Sequence, residues 1–208
     1  MAGFGAEPVA LLPPASITLP PDLASGPTGT ALTGEIERIV LDRLPAEIRI
    51  VRSRAPVLAF DAWGSDVESG GRGGFLRSVL DWSGSPGPAG ELPEIVGNSV
   101  EELGDSRGLR FFLFPRGVTV LRRGTFDYFA TVEGLLLDAR GERAVWAGTG
   151  SAAGRVPEGS PGQLLSGVVR DAVTRAVADL AAKLPGAGVA GEAGGFSDVD
   201  SGRRTETR

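Results

Sequence analysis

The 208 residues contain no histidine and no cysteine, and these two absences remove most of the common enzyme chemistries. Metal sites built on imidazole or thiolate, cysteine nucleophiles and Ser-His-Asp triads each need one of the missing residues, so none can be assembled here. The lack of cysteine leaves the compartment open, because exported and cytosolic proteins alike can do without it. Long hydrophobic runs are missing too. No stretch approaches the roughly 20 apolar residues that cross a bilayer, and the opening MAGFGAEPVALLPP has neither the basic start nor the apolar core of a signal peptide. The chain as it stands therefore reads as soluble, either cytosolic or a mature form whose targeting segment was replaced by Met1. Positive charge is also in short supply: 21 Lys and Arg stand against 26 Asp and Glu, a formal net charge of −5. The basic residues are scattered, which argues against a nucleic-acid partner.

What remains is a globular balance, 41% hydrophobic and 23% charged, enough for one core. The 32 glycines and 15 prolines imply stretches that never pack. The expected organisation is a flexible start over 1–6, a single domain over 7–185 carrying an insertion at about 55–90, and a disordered tail over 186–208.

Periodicity places the elements. Val9 to Leu12 is a short apolar run stopped by Pro13 and Pro14, as in a buried strand. Leu32, Ile36, Ile39, Val40 and Leu44 recur at helical spacing, with Thr30 as the expected N-cap and Pro45 as the stop. EIRIVRSR alternates as a strand does. Pro56 to Phe60 adds an apolar run, a short helix is expected at 74–82, and Leu92 to Leu103 reads as a further helix. LRFFLFPRGVTVLRR, TFDYFATVEGLLLDA and RAVWAGTGSAAG are rich in aromatic and β-branched residues, and their short RRGT and RGE connections predict an antiparallel meander. In the second connection Asp138 suits the start of the turn and Gly141 a positive φ, and Trp146 returns on the next strand as a packing residue. LLSGVVRDAVTRAVADLAAKL is an amphipathic helix behind a capping box at Ser160-Pro161-Gly162-Gln163. Its solvated side carries the pairs Asp171 with Arg175 and Asp179 with Lys183. The order β-α-β-α-β-β-β-α gives an α+β fold, a mixed sheet with helices packed on one face.

PVALLPPAS, the helix before EIRIVRSR, SVEELGDSRGLRFFLFP, the hairpin LLLDARGERAVWAG and the closing helix together resemble the CsgG, LpoB and TolB amino-terminal type of bacterial envelope domain. Asp138, Gly141 and Trp146 fit the hairpin of those families, and the likeness spans about residues 7–185. It implies a lipoprotein-like accessory domain of the periplasm or outer envelope that binds a protein partner, or further copies of itself, and is not an enzyme. The chain departs from the pattern in having no lipobox cysteine, a long 55–90 segment, and Arg110 where the families prefer a small or acidic residue.

No residue is assigned to catalysis, a cofactor or a metal. The glycine-rich loop GSDVESGGRGGF could cradle an anion with Arg72, but it lacks the spacing and following lysine of a phosphate loop and reads as a flexible connection. The acid pairs Glu101 with Glu102 and Asp61 with Asp66 read as solvated surface. Of the aromatic set Phe111, Phe112, Phe114, Phe126, Tyr128 and Phe129, alternation must put some on each face of the meander. One face is core, and the other lies under a helix or the insertion or is open to a partner. Trp63, Trp82 and Phe75, in the insertion, are the candidate partner-binding residues. Two functions follow: an envelope module binding through a sheet edge or the insertion, or a cytosolic small-molecule-binding or hydrolytic domain using the glycine-rich loop 64–74.

Overall fold

The computed structural model describes residues 8–51, 57–59, 92–141, 143–158 and 163–185. The expectations for 1–6, for the helix at 74–82 and for the tail fall outside these residues. The elements are β1 (Val9–Leu11), β2 (Ile17–Thr18), α1 (Pro21–Ala24), α2 (Gly26–Val51), β3 (Val57–Ala59), α3 (Glu94–Arg107), β4 (Phe111–Arg123), β5 (Asp127–Asp138), a 3-10 turn (Ala139–Gly141), β6 (Arg143–Arg155) and α4 (Gln163–Ala182). The strands form one mixed sheet in the order β3-β1-β4-β5-β6, with β2 also paired to β4. β1 runs parallel to both β3 and β4, while β4, β5 and β6 are the expected antiparallel meander. The α+β class and mixed sheet are as the sequence predicts.

The period of two along the strands builds two cores. Val9, Leu11, Phe111, Leu113, Val118, Val120, Tyr128, Ala130, Val132 and Leu136 face α2 and α4. Ala10, Leu12, Phe112, Phe114, Leu135 and Leu137 point the other way and pack with Val96 and Val100 of α3. Helices therefore stand on both faces, where the sequence predicts one. The reason is the short runs at β1 and at the start of β4, apolar at every position and so in need of cover on both sides.

Two bulges keep these faces in step. Pro115 pairs with Gly134 and Gly117 with Glu133, so Arg116 is an extra residue in β4. Core positions are odd-numbered before it and even-numbered after it. In β6, Leu136 pairs with Trp146 and Leu137 with Ala144, leaving Val145 as the extra residue.

The helix expected to stop at Pro45 instead continues to Val51 with the proline inside it, and Thr30, expected as its N-cap, is interior. Leu32, Ile36, Val40, Leu44 and Ile48 are buried at a strict spacing of four. Proline inside a helix costs about 3 kcal/mol. Fully burying Ile48, the stripe residue beyond the proline, returns about 1.5–3 kcal/mol, which offsets most of that cost. EIRIVRSR is therefore not the second strand as far as it is described. That place is taken by Val57–Ala59, at the start of the segment read as an insertion, paired with β1.

α4 lies unusually close to β6. A Cβ at Gly150 would run into the Ala176 carbonyl oxygen, and one at Gly154 would come within 2.7 Å of Val168 Cγ1. Only glycine lets the helix backbone settle onto the strand at Gly150. Val169, Ala172, Val173, Ala176, Val177, Leu180 and Leu184 of this segment are buried, and Arg170 reaches Glu35 of α2 at 2.7 Å.

Candidate functional site

The hairpin singled out in the sequence is a clamp. Asp138, at the end of β5, is paired in register with Phe111 at the start of β4. Both of its carboxylate oxygens accept hydrogen bonds from Arg110, at 2.9 Å from Nε and 2.9 Å from the terminal nitrogen. The Asp138 side chain is 3% exposed and that of Arg110 36%. Ala139 N–H donates to the Arg110 carbonyl at 2.8 Å, closing the junction from the backbone side. The Arg110 guanidinium also sits 4.8 Å above the Phe111 ring, a stacking that a lysine could not reproduce.

Burial on its own pushes the Asp138 carboxyl upward, but the Arg110 hydrogen bonds and charge, with the Arg140 backbone and the Arg143 charge, hold it below the usual carboxylate value. With three of its acceptor positions taken by Arg110 and the Arg140 backbone, the carboxylate ties the turn to the sheet. Gly141 is not in the left-handed region, contrary to expectation. The hairpin turns through 139–141 in a 3-10 conformation, and the positive-φ glycine of the meander is Gly124, at φ 78°, between β4 and β5. Trp146 packs beside Leu180 over a floor of glycines: a Cβ at Gly134 would lie 3.4 Å from the indole, and one at Gly148 would collide with it.

The other half of the meander presents an open surface. Thr119, Leu121 and Arg123 of β4 alternate with the core residues Val118 and Val120, and register places them opposite Thr131, Phe129 and Asp127 of β5. Ser151, Ala153 and Arg155 of β6 complete the rows. α2 and α4 stand on the opposite face, and α3 covers only the end near Phe112 and Leu137. Among the described residues nothing covers the rest. Leu121 is 46% exposed, Phe129 is partly buried, and Arg123 lies 4.6 Å above the Phe129 ring. The surface thus holds an apolar row, Leu121–Phe129–Ala153, between a hydroxyl row and a charged one.

The aromatic set divides accordingly. Phe112 and Phe114 lie under α3, Phe111 and Tyr128 face α2 and α4, and Phe129 faces out. Leu121 escaped the sequence reading because the Arg116 bulge changes which residues face out, its mark in the sequence being the flanking Pro115 and Gly117. Trp63, Trp82 and Phe75, the candidate partner-binding residues, lie outside the described residues, as does the glycine-rich loop. Glu101 and Glu102 are exposed on α3. Among the described residues no three acidic side chains gather as a metal site would require. A depression between Arg116, Glu133, Ala147 and Thr149 holds about 200 Å³, below the several hundred typical of a small-molecule site. No described helix is long and apolar enough to cross a membrane.

No protein-family model matches the chain, and no curated protein sequence does either. Solved structures that it resembles include a PelC dodecamer from Paraburkholderia phytofirmans, at 19% identity and TM-score 0.39 over 86% of this chain and 93% of that one. A hypothetical protein from Chlamydia trachomatis is similar at 12% identity and TM-score 0.44, over 85% and 96% of the two chains. A lipoprotein from Neisseria meningitidis is similar at 17% identity and TM-score 0.32, over 79% and 96%.

Proposed function

We propose that this protein is a non-enzymatic accessory module of the bacterial cell envelope, of the CsgG, LpoB and TolB amino-terminal type, and that it binds a partner protein or another copy of itself through the open face of β4, β5 and β6. The observation that carries the binding reading is Leu121, nearly half exposed beside Phe129 on a sheet whose other face packs against α2 and α4. An apolar row framed by hydroxyls and by Arg123 and Arg155 has the make-up of a protein-binding patch, with an apolar centre and a polar rim. The envelope assignment is supported by the five stretches of sequence that resemble that domain type. The chemistry in view supports binding over turnover, because Asp138, the buried carboxylate among the described residues, is paired with its own arginine.

Two measurements test this reading. The native full-length gene product, fused at its C-terminus to a reporter enzyme active only outside the cytoplasm, should show activity; an inactive but stable fusion overturns the envelope assignment. A photo-crosslinking residue at Leu121 should capture a specific adduct in cells where one at exposed Arg140 does not. Equal capture at both positions sinks the assignment of the face.

A further inference from the structure

Among the described residues β6 ends the strand order on one side, so half of its backbone donors and acceptors have no described strand to pair with. Such an edge is a template for another strand. Here it is occupied. Side chains of α4, and of Lys183 just past its end, reach down to it in a row: Arg175 donates to the Ala153 carbonyl at 2.7 Å, Asp179 accepts from the Ser151 N–H at 2.8 Å, and Lys183 donates to the Thr149 carbonyl at 2.8 Å. The spacings match element to element. Residues 175, 179 and 183 step by four residues, about 6.0 Å at helical rise, and residues 153, 151 and 149 step by two strand residues, about 6.7 Å. Each charge has the sign its strand group requires, cationic against carbonyl and anionic against amide. Lys183 and Asp179 are also joined to each other at 2.7 Å, and Arg175 is steadied by Asp171 at 3.0 Å.

We infer that β6 is a masked pairing edge, and that the Arg175, Asp179 and Lys183 row keeps a second copy of this chain from adding its own β6 to the sheet. The occupant excluded is a second copy because residues 149, 151 and 153 each turn both N–H and C=O outward, so two copies aligned antiparallel about Ser151 would exchange a pair of hydrogen bonds at Ser151 with Ser151 and at Thr149 with Ala153. The inward side of the same strand offers no such opening, being paired to β5 from Arg143 to Arg155. The edge is the outward backbone of β6, whereas the open face proposed above uses side chains of the same strand, and the inference stands whatever compartment the protein occupies.

The test compares the parent chain with Asp179→Ala, Asp179→Ala/Lys183→Ala and, as a control on the same helix, Arg170→Ala, which removes the ion pair with Glu35 without touching the strand. Hydrogen exchange at high dilution reads the Ser151 amide, with the core amide of Ala130 reporting any general loss of stability. Sedimentation velocity over a concentration series reads association. Freed of its acceptor, the Ser151 amide should exchange about tenfold faster or more in both Asp179 variants, with Ala130 unchanged. The double variant should associate at about a tenth of the concentration the parent needs, or less, and Arg170→Ala should match the parent. If the double variant does not fold, the single one decides by the same two readings. Unchanged Ser151 exchange overturns the inference, and so does faster exchange with no change in association.

Discussion

Adding one methyl group at Gly150 should be among the most damaging small changes this protein can suffer. The new carbon would strike the Ala176 carbonyl oxygen and lie 2.5 Å from the Leu180 nitrogen and 2.7 Å from its Cβ. Two of these atoms are helix backbone and the third is fixed to it, so no side-chain rotation relieves the contact and α4 must lift away from the sheet. Overpacking of a close-packed interior costs about 1–3 kcal/mol, and a backbone obstacle belongs at the upper end. For a chain of this size about 3 kcal/mol lowers Tm by roughly 6–12 °C. The same substitution at Gly34 of α2 meets nothing within 4 Å; there alanine gains about 0.5–1 kcal/mol of helix propensity and should raise Tm by a few degrees. Thermal unfolding of the parent, Gly150→Ala and Gly34→Ala, followed by circular dichroism, measures both. A Gly150→Ala protein melting within about 2 °C of the parent would refute the close approach of helix and strand, since even 1 kcal/mol moves Tm by that much.

Two further outcomes concern ionisable groups. Arg110→Met strands a buried carboxylate and should cost about 2 kcal/mol at neutral pH, less than for a fully enclosed pair because Arg110 is 36% exposed. Asp138 is held below its ordinary value of 3.8 in the folded protein. The stability it contributes is fully present above that value and lost as pH falls through the lower folded one. Parent and variant should therefore converge in acid, and a gap that persists after Asp138 protonates contradicts the pairing. Tyr128, the single tyrosine in the chain, is raised above its ordinary 10.0 by burial and by its hydrogen bond to Asp22, against the Arg122 charge. Its stabilisation is complete below pH 10.0 and is lost as pH rises through the folded value. A phenolate absorbance titration should show a late, single transition that moves down in Asp22→Ala; an unmoved transition rejects the contact.

Most of the fold could be read from local periodicity, because most of it is built locally. The meander follows from its turns, and α4 from its apolar stripe and its two i,i+4 pairs, both of which form. The reading failed where two local signals competed. Around Pro45 a proline and the alternation of Ile48 and Ile50 argued for a break, while the four-residue spacing through Leu44 to Ile48 argued for continuity and prevailed, the burial of Ile48 offsetting most of the cost of the proline. The candidate sites were less legible because they are made by register. Arg110 and Asp138 meet 28 residues apart only once β4 and β5 are aligned. Asp179 and Lys183 were readable as a helix pair, but nothing in their spacing says that a strand edge lies beneath them.

The single extra residue at Arg116 gives β4 a sensitivity of its own. Strand residues keep parity, so every position beyond the bulge owes its side of the sheet to that one insertion. Deleting it would shorten the strand by a few ångströms and, more consequentially, turn its outer half over: Val118 and Val120 would emerge into water, while Thr119, Leu121 and Arg123 would be driven against α2 and α4. The surface proposed for recognition and the centre of the main core are thus two settings of the same stretch of chain, held apart by one amino acid.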